Sequence, residues 1–255
     1  RRLPSVPAGS VHMRRTLPFC SSLNGKRITT VLFIGIIFSL HSYCSAQVKQ
    51  EKLYIDYKYI KEYVTNKKED FQKLMQRFEM NDTLLTRQEY AMIYYGYSFT
   101  PDYQGSMYDM LQDYQDFKRL ISENKYEEAY NAGTELLKKN PVSLQTLYEM
   151  GALVYMQNKD QEKMRSYTKR YAALITTIAS SGDGKTEETA FKVICVNDEY
   201  QLLNKLFQME NMKQQSLTDN KCDLIEFDKC KYYEGTQMYF DISRSLDQLD
   251  ESLKQ

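Results

Sequence analysis

The sequence predicts an α+β chain that is mainly α: a repeated helical array followed by a small C-terminal sheet with one helix. Three observations predict it. From Val48 to about Ile178, apolar residues recur at helical spacing in a stretch with only two prolines, Pro101 and Pro141, and four glycines. Within that stretch, residues 110–143 and 144–177 repeat at an offset of 34. After SSGDGKTEETA (180–190) the pattern gives way to β-branched and aromatic runs.

The chain has 255 residues, with 34 Lys+Arg against 34 Asp+Glu. That balance joins two unlike parts. The first 46 residues carry Arg1, Arg2, Arg14, Arg15, Lys26 and Arg27 and no acid, which leaves 28 basic against 34 acidic residues, a net charge of −6, on the rest. A chain so charged has no general reason to seek nucleic acid or anionic lipid. Both histidines, His12 and His41, lie in the same leading stretch. The remainder therefore has no Ser-His-Asp or Cys-His chemistry and no histidine-bearing zinc site.

Residues 28–40, ITTVLFIGIIFSL, are an apolar run of 13, short of the ~20 a membrane-spanning helix needs. With Lys26-Arg27 ahead and small residues behind, the run reads as a secretory signal peptide. Cys44 and Ala46, small residues at −3 and −1, place cleavage between Ala46 and Gln47. Acylation at Cys44 would want an aliphatic at −3 and a small residue at −1, where His41 and Tyr43 stand. Residues 1–12 precede Met13, the first methionine, and are read as upstream of the leader. The expected organisation is a leader over 13–46, helices over 47–180, and an α+β region over 181–255 packed on them, with no stable membrane span after cleavage.

Leu53, Tyr57, Ile60 and Val64 mark a first amphipathic helix, and Phe71, Leu74, Met75 and Phe78 a second. Thr86 with Glu89 is a capping-box pair opening a third, through about Gly96. The turn-rich FTPDYQGS follows, and helices resume near Tyr108. The 34-residue offset is the tetratricopeptide period. Ala129 falls on the small position of a second helix, where two helices cross closely, and Pro141 on the terminal proline. In the next window Leu147, Met150, Gly151 and Val154 fill the first-helix positions, and Tyr167 a later aromatic one. Lys163 and Ile175 depart from the pattern, standing where Ala and Pro belong. So short an array needs its exposed ends covered, by the earlier helices and the C-terminal region.

In that C-terminal region FKVICV (191–196) is apolar on both faces and predicts a buried strand. NDEYQLLNKLF predicts a short helix capped by Asn197 or Asp198. DLIEF (223–227) and TQMYFDIS (236–243) predict further strands. Cys195, Cys222 and Cys230 follow the expected cleavage point. A Cys222–Cys230 bridge would contribute roughly 2.6 kcal/mol on a chain-entropy estimate. A strand between them, however, spans roughly 26 Å, against the ~7 Å a disulfide tolerates. Strand and bridge exclude each other, and the strand is the expectation. Cys195 is expected in the core.

No motif nominates a cofactor, a metal or a catalytic residue. GDGKT (182–186) ends as a phosphate-binding loop does, but Ala179 stands where the first glycine belongs and a helix precedes it. Asp183, Glu187 and Glu188 lack calcium-loop spacing. Asp219, Asp223 and Asp228 read as a solvated strand face and its turns. Tyrosine is the compositional outlier, 21 of the 22 lying after Tyr43. Tyr94, Tyr95, Tyr97 and Tyr103 crowd the Pro101 break and are the candidate partner or ligand surface, or else core packing with hydroxyls reaching water.

LTRQEYAMIYYGYSFTPDYQG (85–105), ASSGDGKTEETAFKVICVNDEYQLLNKL (179–206) and MYFDIS (238–243) together make the chain resemble an exported Bacteroidetes family, the domain of unknown function 4919. The resemblance spans roughly 53–243 and implies export to the periplasm or beyond in a Gram-negative bacterium. It implies no activity and no catalytic residues. Three functions are open: a non-enzymatic module that binds a protein or peptide; a small-molecule, peptide or glycan binder using the tyrosine loop; and a hydrolase using two carboxylates, for which the sequence offers no pair.

Overall fold

A computed structural model describes residues 52–105, 111–157 and 160–253. The leader, Cys44 and the Ala46–Gln47 cleavage point lie outside them. Among the described residues seven helices come first: α1 (Tyr57–Asn66), α2 (Lys68–Glu79), α3 (Arg87–Tyr97), α4 (Gln112–Ser122), α5 (Tyr126–Lys139), α6 (Leu144–Met156) and α7 (Gln161–Ala179). Then follow β1 (Phe191–Lys192), α8 (Val196–Gln201) prolonged by a π turn at Leu202–Leu206, β2 (Met209–Leu217), β3 (Cys222–Cys230), β4 (Gln237–Asp241) and α9 (Ser243–Ser252). The mainly helical α+β class is the one the chain adopts.

Local chemistry sets the helix starts. The Asp56 carboxylate accepts from the Tyr59 N–H at 3.0 Å and opens α1, which buries Ile60 and Val64. Leu53, expected on that helix, precedes it and is buried all the same. Both bonds of the Thr86–Glu89 capping box are present at α3. Asp160 caps α7 by accepting from the Glu162 and Lys163 N–H groups. Among the described residues no helix is long and apolar enough to cross a membrane.

α4 pairs with α5 and α6 with α7 as two consecutive helical hairpins, α5 lying against α6. α1, α2 and α3 pack on one another, and α3 packs on α7. Small residues permit the crossings. Ala129 is fully buried. A Cβ on Gly133 would come within 2.3 Å of Met150 Sδ and 2.8 Å of Phe117 Cε2. One on Gly151 would meet Thr168 Cγ2 at 3.2 Å.

The sheet runs in the order β1-β4-β3-β2, with β1 parallel to β4 and the other pairs antiparallel. Phe191, Phe240, Met238, Ile225 and Phe227 are buried on one face together with Leu202, Leu203 and Phe207. Four expectations need correction. FKVICV pairs only at Phe191–Lys192, because tyrosine hydroxyls take over its backbone, as described below. Cys195, not Asn197 or Asp198, is the N-cap of α8, and it is half-buried rather than a core strand residue. The C-terminal region holds two helices, not one, and an unpredicted strand, β2, whose polar residues sit at the sheet edge. Asp223 is buried, because the alternation of β3 puts it on the face of Ile225 and Phe227.

Cys222 and Cys230 sit at the two ends of β3, both as free thiols. Burial pushes each thiol up to about 11, so neither is a thiolate nucleophile at neutral pH. The crossings give a stability test. Gly133→Ala should destabilise by about 1–2 kcal/mol through overpacking, whereas Gly151→Ala, with one looser contact and a gain in helix propensity, should be near neutral. Gly151→Leu should cost more than ~1 kcal/mol. Urea unfolding of the three variants checks the order.

Candidate functional site

The last turn of α3 and the FTPDYQG loop place the four candidate tyrosines against residues 190–198. All four are buried, Tyr94 and Tyr95 completely. Their hydroxyls are committed to the backbone and to one acid. Tyr94 donates to Asp198 Oδ2 at 2.6 Å and accepts from the Ile194 N–H at 3.2 Å. Tyr95 donates to the Lys192 carbonyl at 3.0 Å. Tyr103 donates to the Ile194 carbonyl. The Tyr97 hydroxyl lies 2.9 Å from the Lys139 carbonyl and 3.1 Å from that of Asp102. Burial raises the Tyr94, Tyr95 and Tyr103 phenols above their ordinary range, so each stays a hydrogen-bond donor. Past Lys192 only the Val193 N–H still reaches β4, at Asp241 O. The groups of Ile194 that a longer ladder would use belong to Tyr94 and Tyr103.

Arg244 of α9 closes the joint from the other side. Its Nε and Nη2 donate to the Ser98 carbonyl at 3.2 and 2.7 Å. Its guanidinium lies over Phe99 and Tyr103, 4.6 and 5.4 Å from the ring centroids. Between tyrosine loop and α8 lies a cleft of about 20 Å³, lined by Tyr97, Tyr103, Asn140, Ser143, Cys195 and Asp198. It has room for about one water molecule.

Beside the cleft the structure brings together three acids: Asp198, expected as a helix cap, Asp223, expected on a solvated strand face, and Glu199, which the sequence did not single out. Asp198, Glu199 and Asp223 are 5%, 0% and 6% exposed. Gln215 Nε2 donates to Asp223 Oδ2 at 2.6 Å and reaches Glu199 Oε2 at 3.4 Å. Burial, then Asp223 and Asp198, holds the Glu199 carboxyl well above the usual carboxylate range. Among the described residues no group of histidines, cysteines and acids is arranged to hold a metal ion. A polar chain continues from here: Gln201 donates to Gln145, Gln145 to Glu149, and Lys118 to Glu149 at 2.9 Å. The signal for Asp223 was the alternation of DLIEF. Asp198 and Glu199 look like the ordinary acids of a helix start.

GDGKT is a closed turn. The Asp183 and Gly184 N–H groups both donate to the Thr189 carbonyl at 2.9 Å, so they do not point outward as a phosphate cradle requires. Gly184 holds φ +69°, and a Cβ there would strike Phe191 and Met238. Asp183 accepts from the Lys185 N–H.

The family model described as domain of unknown function (DUF4919) matches residues 58–251. The chain belongs to that family. No curated protein and no solved structure matches it.

Two substitutions separate the pins by strength. Tyr94→Phe removes a donor to a buried carboxylate and should cost about 1.5–3 kcal/mol, against about 1 kcal/mol for Tyr95→Phe, which loses one bond to a carbonyl. Chemical denaturation at neutral pH measures both, and equal losses would refute the ranking.

Proposed function

We propose that this member of the family is a non-enzymatic interaction module, exported to the cell envelope of a Gram-negative bacterium, whose tetratricopeptide-like hairpins bind a protein or peptide. The observation that carries the reading is the stripe along α6. That helix is apolar almost all round, yet Gln145, Tyr148, Glu149, Ala152 and Tyr155 are only half-buried and Met156 is exposed. Spaced three and four residues apart, they line one side of a helix. Lys118 of α4 and Lys205 of the π turn flank them, Lys205 lying 4.5 Å from the Tyr148 ring centroid. Aromatic and methionine side chains beside charged walls suit a peptide or protein surface. Export rests on the leader-like run at 28–40 and on the resemblance.

A second reading keeps the tyrosine loop as a small-molecule or glycan site. It is favoured by Tyr97 and Tyr103, which line the cleft beside Asp198. The committed hydroxyls and the water-sized cleft weigh for the stripe.

The test is an in-cell crosslinked pull-down of the tagged chain with its own leader, in the source bacterium. One envelope protein should be recovered in stoichiometric amount, and Tyr155→Asp with Met156→Asp should abolish it without lowering Tm by more than a few degrees. Recovery unchanged by the stripe substitutions, or a folded bait with no partner, would overturn the proposal.

A further inference from the structure

We propose that α8, Val196–Gln201, is a latch held shut by a proton on Glu199: it stays docked on the sheet and on α6 while that carboxyl is neutral, and lifts as the proton leaves. The inference rests on the interaction-module reading for its consequence, because the latch covers one end of the α6 stripe.

The surroundings of Glu199 disfavour a carboxylate. The side chain is completely buried. Its Oε1 has no hydrogen-bond partner among the described residues. Its Oε2 has only the 3.4 Å approach of Gln215 Nε2, whose stronger bond, at 2.6 Å, goes to Asp223. The charged groups that bear on it are acids: Asp223 from β3, and Asp198 from its own helix. From β2 the facing residue is neutral Gln215, whose Oε1 accepts from Tyr200. From α3 and α7 come two buried phenols that feel Asp198, Tyr94 and Tyr171. No lysine or arginine is among them. A buried anion with no cation and one poor donor is strongly disfavoured, so the proton stays.

The latch has something to release and a place to bend. Gln201 donates to Gln145 of the stripe and accepts from the Tyr171 hydroxyl at 3.3 Å. Behind the turn the helix widens into the π turn, where the Phe207 N–H reaches back to Leu202 O at 2.8 Å. Leu202, Leu203 and Phe207 stay anchored in the core, so the motion is confined to 196–201, with the π turn as its hinge.

The sign follows. Because the folded-state pKa is raised, Glu199 costs nothing below its ordinary range, where folded and unfolded chains both hold the proton. The cost grows as pH rises from there toward the folded value. Hydrogen exchange by mass spectrometry, corrected for intrinsic rate, tests this on the full chain and on Glu199→Gln at pH 5, 7 and 9. Protection of 196–201 in wild type should fall at least tenfold from pH 5 to 9 relative to α7, and stay flat in Glu199→Gln. Flat protection in wild type, a parallel loss across α7, or an unchanged fall in Glu199→Gln would overturn the latch. If Glu199→Gln does not fold, the two wild-type outcomes still decide. Loss of the latch with partner capture intact leaves the module reading standing, and the reverse result leaves the latch.

Discussion

The structure depends on how one short segment of backbone is satisfied. Residues 190–195 run through the interior between helices and sheet, where an unpaired N–H or C=O is costly. A longer ladder with β4 would satisfy them but would also carry the strand straight on. Here the ladder stops at Lys192. The hydroxyls of Tyr94, Tyr95 and Tyr103 then take the Ile194 N–H and the Lys192 and Ile194 carbonyls. That exchange lets the chain turn at Cys195 into α8, which brings Asp198 under Tyr94 and Glu199 over the sheet. Both the cleft and the acid cluster follow from it.

Seen from the helices, the same joint is a cover. α3 packs on α7, and its tyrosines reach past that contact to the sheet. Two hairpins alone would leave apolar sides of α6 and α7 exposed. Here α3 lies on α7, and α8 meets α6. The stripe on α6 is what this enclosure leaves uncovered.

Much of the fold was legible because it rests on periodicity. The helical spacing, the Thr86–Glu89 pair and the offset between hairpins are properties of neighbouring residues, and they located α3 to α7. What failed was pairing. MENMKQQSL carries no strand signal, since an edge strand exposed for most of its length gets its hydrogen bonds from β3 and little burial of its own. FKVICV has the composition of a buried strand and is buried, but no composition states that tyrosines a hundred residues away will replace its ladder. The tyrosine cluster stood out correctly as a feature. Its role as a set of internal pins needed the third dimension. Asp223 could have been read from its alternation with Ile225 and Phe227, whereas Glu199 became visible only when β2 and β3 were laid beside α8.

The grip of Arg244 on Ser98 has a consequence for how the chain is made. The two residues are 146 apart in sequence, and β1 likewise waits for β4, its only strand partner among the described residues. Contacts of such separation are slow to form, because a large loop must close before they reward it. The helical hairpins can assemble as soon as their own residues are free to fold, because their contacts are local. The tyrosine joint cannot, since the arginine and strand that seal it lie downstream of every helix from α1 to α8. Until β4 and Arg244 are in place, the aromatic loop and the apolar side of the sheet are open to any holding factor that meets them.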